Sequence, residues 1–210
     1  MNMKPFKLIA LTALMALLCC CAPKTKHQRI EPLPAISLAA DSLQDCTLPA
    51  VFASNSIDWE DSTLTVKFYN MDLYDAVEIS LLQVGDTLLY RGEPMVVATI
   101  EERGEGLDIN GGIDNGGCCL YGYEGGTYVA REYDDHAVYS PIGTFRVAID
   151  PNCILVDCGE EPLDPSDTIS SGLRQYLEGL EDYRQQFFQL NTVVTIEHGK
   201  VTAINRRWIP

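Results

Sequence analysis

Leu64-Thr65-Val66-Lys67-Phe68-Tyr69 decides the fold class. Leu64, Val66 and Phe68 alternate with Thr65, Lys67 and Tyr69. Successive side chains of a strand point to opposite faces, so the run reads as a strand with one buried and one wetted face. The two-residue period resumes at Val77, Ile79 and Leu81, where a short helix beginning near Asp72 fits as well. Val84 to Tyr90 and Met95 to Glu101 flank the turn Arg91-Gly92-Glu93-Pro94 and read as a hairpin, with Gly supplying tight backbone and Asp86 capping it.

Toward the C-terminus the period changes. After Pro165-Ser166-Asp167, apolar positions at Leu173, Tyr176, Leu177, Leu180, Tyr183, Phe187 and Phe188 form a helical stripe, which predicts a core-facing helix over about 168–190. Thr192 to Ile196, a turn at His198-Gly199, and Val201 to Ile204 then predict a C-terminal hairpin, with Trp208 as a terminal plug. The expected fold is therefore α+β, mainly antiparallel β as a sandwich or open barrel, with one late amphipathic helix.

The stretch Asp108-Ile109-Asn110-Gly111-Gly112-Ile113-Asp114-Asn115-Gly116-Gly117 has two readings. Oxygens of Asp108, Asn110, Asp114 and Asn115 could line a ligand loop. An EF-hand is excluded, because Gly112, Ile113 and Cys119 stand where it needs Asp or Asn, Gly and Glu. Asn-Gly and Asp-Asn-Gly are also strong turn signals, since they accept positive φ, and turn chemistry is the commoner use. Tyrosines follow at 121, 123, 128, 133 and 139. Tyr121, Tyr123 and Tyr128 are candidates for a stacking face for sugar or peptide, against the ordinary use of such rings to fill a half-buried sheet face. Val84 to Gly117 resembles uncharacterised lipoproteins of gut bacteria, which carry a similar VGD…G…V..I hairpin followed by an NGG turn, and no activity comes with that resemblance.

At the N-terminus Lys4 and Lys7 precede an apolar run from Leu8 to Leu18, which is too short to span about 30 Å of hydrocarbon as a helix. The run ends in Leu17-Leu18-Cys19-Cys20-Cys21 and resembles the lipobox of bacterial lipoproteins. That resemblance implies thioether acylation at Cys21, or at Cys20 with Leu17 in the guiding place, and a Cys stands where Ala, Gly or Ser is usual. It further implies a signal peptide over 1–20 and a palmitate-type lipid anchor. In such proteins an Asp after the acylated Cys tends to retain the chain in the inner membrane. Ala22 stands there, and Pro23-Lys24-Thr25-Lys26-His27 lacks the acidic cluster of surface-exported lipoproteins. Both features imply an outer-membrane protein facing the periplasm. Residues 21–45 hold prolines and basic residues without a sustained period and are expected to be a flexible tether, leaving 46–210 as a single β-rich domain.

The formal charge is −15, and without Lys4 and Lys7 thirteen basic residues face thirty acidic ones, giving −17. Nucleic acid is excluded as a partner, because phosphate binding needs a basic face and no basic run exists beyond Arg206-Arg207. Of eight cysteines five lie in the body, at 46, 118, 119, 153 and 158. Cys153 and Cys158 flank a strand-like Ile154-Leu155-Val156, too extended for them to bridge each other. A disulfide from Cys118 or Cys119 to Cys153 or Cys158 is the expected arrangement. No C-x₂-C spacing supports zinc.

Ser140-Pro141-Ile142-Gly143-Thr144-Phe145 resembles the entry strand of L,D-transpeptidases. That family also needs a later His followed by Ser-x-Gly-Cys. No Cys follows His198, so the activity does not transfer. Asp134-Asp135-His136 with Ser140 has the residue types of a triad, but triads converge from separate segments. No catalytic set, metal centre or cofactor is expected. The sequence points to a non-enzymatic envelope module that binds a protein or glycan, with an envelope-anchored hydrolase as the alternative.

Overall fold

The computed structural model describes residues 26–34, 43, 45–158, 167–169, 172–179 and 187–209. Cys20 and Cys21 lie outside them, as do residues 180–186 and the side chain of Cys158. In chain order the first half holds β1 (Arg29–Ile30), β2 (Cys46–Val51), β3 (Ile57–Asp58), β4 (Thr63–Met71), β5 (Leu73–Asp75), α1 (Ala76–Ser80), β6 (Thr87–Tyr90), β7 (Glu93–Val96), β8 (Ile100–Arg103) and β9 (Gly106–Ile109). The second half holds β10 (Cys118–Tyr123), β11 (Thr127–Arg131), β12 (Tyr139–Cys158), β13 (Asp167–Ile169), α2 (Leu173–Gly179), β14 (Thr192–Glu197) and β15 (Lys200–Arg207).

Five strands close on themselves. β2 pairs with β4, β4 with β12, β15 with β14 and β14 with β2, all antiparallel, while β12 runs parallel to β15. The ring is a five-stranded Greek-key barrel of the OB architecture, with α2 between its third and fourth strands. Closure removes the exposed edges that an open sheet would carry. The alternation that opened the reading is realised: Leu64, Val66 and Phe68 are fully buried. They meet Leu48, Val194 and Ile204 from neighbouring strands, and Phe187 stacks on Phe52 at 4.5 Å between ring centroids. The C-terminal hairpin is β14 and β15, with His198 and Gly199 both at positive φ in its turn.

The late helix is shorter than its apolar stripe suggests. Asp167–Ile169 is a strand paired with β12, and Leu173–Gly179 is helical. Asn191 ends the segment that follows, its Oδ1 accepting the Phe188 N–H at 3.0 Å. Leu177 is buried, and Leu173 and Tyr176 pack against the barrel core.

Between β4 and β12 the chain leaves the barrel and builds a second core. A five-stranded antiparallel sheet has the order β5-β11-β10-β9-β8, and a three-stranded sheet the order β1-β6-β7. Tyr74, Leu88, Ile109 and Leu120 are fully buried between them. Val77, Ile79 and Leu81 do not form a strand. Asp75 accepts the Val77 and Glu78 N–H groups at 2.8 and 3.1 Å, starting α1 and leaving only Ile79 of the three buried. Met95 to Glu101 is likewise broken, because Asn110 Oδ1 takes the Ala98 and Thr99 N–H groups at 2.6 and 3.2 Å between β7 and β8.

Part of the segment expected to be a flexible tether is docked, from His27 to Leu33. β1 pairs parallel to β6, Ile30 is 1% exposed, and Leu33 N–H donates to Leu73 O at 2.6 Å. The Gln28 and Gln83 N–H groups both reach Asp86 at 2.9 Å. Burial raises the Asp86 carboxyl, but these N–H groups and the adjacent His27 outweigh it and hold it below its ordinary value. Gly85, at φ 98°, lies so close beneath His27 that a Cβ would sit 2.3 Å from the imidazole.

Candidate functional site

Strand register sorts the tyrosines. In β10 and β11, Cys119 faces Arg131, Tyr121 faces Val129 and Tyr123 faces Thr127, so these residues share one side of the sheet. Leu120 with Ala130 and Gly122 with Tyr128 occupy the other side. Tyr128 therefore packs on the buried core and leaves the stacking face predicted for it, while Tyr121 and Tyr123 remain on the outer face. Gly106 is opposite Tyr121, and the Tyr121 ring lies across it so closely that a Cβ there would be 2.9 Å from the ring.

Two clefts adjoin on this face, and Asp135 lines both. The first, about 260 Å³, holds Arg103, Asp114, Cys119, Tyr121 and Tyr133. Here the predicted ligand loop divides. Asn110 and Asn115 are spent on the turn itself: Asn110 Nδ2 donates to Val96 O at 2.9 Å and Asn115 Nδ2 to Gly111 O at 2.8 Å. The Asn110 carbonyl and the amide groups of both residues thus hold neighbouring backbone. Asp114 lines the cleft and accepts the Tyr133 hydroxyl at 2.8 Å, while Asp108 is held by the cleft's Arg103 at 3.3 Å. Among the described residues no cluster of three His, Cys, Asp or Glu is arranged to hold a metal ion.

Burial pushes the Cys119 thiol up, and the neighbouring Asp108 carboxylate adds to the rise. A thiol so placed stays protonated at neutral pH and is a poor nucleophile. The expected disulfides are not formed at the described positions. Cys118, Cys119 and Cys153 are free thiols, as is Cys46. The reason is positional: Cys118 belongs to the core of the inserted sheets and Cys153 to that of the barrel, so no strand pair brings them together. Burial pushes Cys118 to about 12 and Cys153 to about 11, so both behave as small apolar side chains.

The second cleft is a groove of about 490 Å³ between the inserted sheet and the C-terminal end of the barrel. Tyr123, Arg131, His136, Tyr139, Arg207 and Trp208 face it. Arg131 is fixed by Asp135, at 2.7 Å to its carboxylate and 2.8 Å to its carbonyl. Asp134 and Asp135 both hold positive φ, 62° and 65°, a strained conformation for non-glycine residues that sets the rim between the clefts. The Asp134-Asp135-His136-Ser140 grouping is not assembled: Asp135 is paired with Arg131, and Ser140 is buried in β12 beside Asp72.

On the barrel, an open basin of about 800 Å³ lies beside Trp59, with Arg174 stacked over the indole at 5.8 Å. Its Arg146 is already bound to Asp58 and Asp61 at 3.0 and 2.8 Å. Sequence did not reveal this basin, because Trp59 in the turn after β3, Arg146 on β12 and Arg174 on α2 have no shared spacing. The groove was partly visible in Tyr123, Tyr139 and the Arg206-Arg207-Trp208 run. What sequence could not supply was that β10, β12 and β15 converge there. No protein-family model, no curated protein and no solved structure matches this chain.

Proposed function

We propose that this is a lipid-anchored module of the bacterial cell envelope that binds a partner through the outer face of its inserted sheet. The anchor is Cys21, or Cys20, acylated after removal of the signal peptide, and the body faces the periplasm from the outer membrane. The observation that carries the binding reading is the adjoining pair of clefts around Tyr121, Tyr123 and Arg131. Tyrosine rings offer a flat apolar surface and a polar tip, and Tyr123, 42% exposed, has no core to fill. The protonated Cys119 thiol gives no support to the hydrolase alternative.

The test is binding of envelope glycans and envelope proteins to the purified lipoprotein and to a Tyr121→Ala/Tyr123→Ala variant. The variant is expected to lose binding by roughly tenfold or more, with an unchanged circular dichroism spectrum. Retention of full binding by the variant sinks the assignment of this face. The anchor is tested separately by metabolic labelling with palmitate, in which a Cys20→Ser/Cys21→Ser variant is expected to stay unlabelled.

A further inference from the structure

We infer that the groove between the inserted sheet and the barrel is a subsite for an acidic saccharide, with Arg207 taking a carboxylate and Tyr123, Tyr139 and Trp208 taking the faces of the sugar rings. The inference rests on the binding role proposed for this face and specifies its ligand.

Three observations converge on the groove. Its cationic groups exceed its anionic ones in a chain whose formal charge is −15. Arg131 is neutralised by Asp135, but among the described residues no carboxylate pairs with Arg207. The Arg131 Nε is also buried without a hydrogen-bond partner. Next, three aromatic side chains from β10, β12 and the residues after β15 line one small space. The hydroxyls of Tyr123 and Tyr139 and the indole N–H of Trp208 have no hydrogen-bond partner among the described residues. Solvent-accessible aromatic groups with unused polar tips match a ligand that alternates CH faces with hydroxyls. Burial raises the Tyr139 hydroxyl, and Arg207 is close enough to oppose the rise, which places the cation beside the ring.

The volume suits a small ligand, within the usual 300–1,000 Å³ or so. Its twelve lining residues are fewer than the roughly 20–30 a side that a stable protein interface uses. A peptide added as a strand is disfavoured as well, because the Leu73 carbonyl of the edge strand β5 is occupied by Leu33 N–H. Long polyanions meet the acidic body, whereas a short saccharide with a carboxylate meets only the local arginines.

The test is calorimetric titration of the full-length lipoprotein in detergent micelles with α-1,4-trigalacturonate, neutral galactotriose and hexaglutamate. Trigalacturonate is expected to saturate at least tenfold more tightly than galactotriose and to weaken as salt is raised. Arg207→Gln and Trp208→Ala should each cost tenfold or more, while Arg29→Gln, at an exposed arginine that lines neither cleft, leaves trigalacturonate binding unchanged. Equal binding of the neutral sugar, or indifference to Arg207→Gln, overturns the acidic assignment while leaving the face a binding surface. Tighter Arg207-dependent binding of hexaglutamate overturns the saccharide in favour of an acidic peptide. Absence of binding by all three overturns the inference, and the fate of the broader proposal is then read from the Tyr121→Ala/Tyr123→Ala variant.

Discussion

Arg206 and Arg207 are neighbours with the same chemistry and opposite fates. Strand alternation turns Arg206 inward, where it is 3% exposed, while Arg207 faces the groove. Arg206 clamps Asp157 through two bonds of 2.7 Å, Tyr176 donates to the same carboxylate at 2.9 Å, and Phe187 lies under the guanidinium at 5.1 Å. Removing one partner of a buried pair strands the other charge in low dielectric, so Arg206→Ala is expected to lower unfolding free energy by about 3–5 kcal/mol. Arg207→Ala should stay within about 0.5 kcal/mol. Urea titration of both variants checks the contrast, and equal effects would show that the inward clamp does not stabilise the barrel. In sequence the pair reads only as a short basic patch. Which arginine is buried follows from the register of β15 against β12 and β14, a long-range pairing that no local pattern encodes.

At the scale of elements, one sequence pattern gave two structures. Leu64-Val66-Phe68 and Val77-Ile79-Leu81 share a two-residue period, yet the first is a barrel strand and the second a turn of helix. Asp75 makes the difference by capping Val77 and Glu78, a local signal that lay in view one residue before the helix. Replacing Asp75 with Ala is expected to cost about 0.5–2 kcal/mol, as loss of an N-cap does. Hydrogen exchange should localise the effect to residues 76–82, and protection unchanged there would show that packing of Ile79 alone holds the turn. The same limit governs the tyrosines. Their density was legible, but Tyr128 goes to the core because it pairs with Gly122, and register is fixed by the Glu124-Gly125-Gly126 turn and the hydrophobic face together. The loop from Asp108 to Gly117 was legible as turn chemistry. Gly117 shows why: a Cβ there would lie 1.9 Å from Ile109 O.

For the whole molecule the β-rich α+β class and the C-terminal hairpin were readable from periodicity, whereas closure of the barrel and the departure of residues 72–138 into a second core were not. Both depend on β4 meeting β12 across some seventy residues of sequence. Asp72 sits at that joint, fully buried, with Oδ2 accepting the Arg91 N–H at 2.9 Å. Its Oδ1 and the nearby Ser140 Oγ are both left without a hydrogen bond. Burial raises the Asp72 carboxyl, outweighing the lowering by the Arg91 and Ser140 backbone N–H groups and the Arg91 charge. With the folded value above the unfolded one, the native state is favoured when the group is protonated, and this contribution is lost as pH rises from about 4 through the raised value. Asp72→Asn is therefore expected to raise the urea midpoint at pH 7 and to flatten that decline. A midpoint that drops at pH 7 would show the carboxylate to be favourable at the joint. The docked strand β1 has a different consequence. Were Cys21 the acylated residue, only five residues, 22–26, would separate it from the first docked residue, His27, a working radius of roughly 20 Å. The protein would then patrol a thin shell above that lipid, and whatever it met would have to come down to the surface.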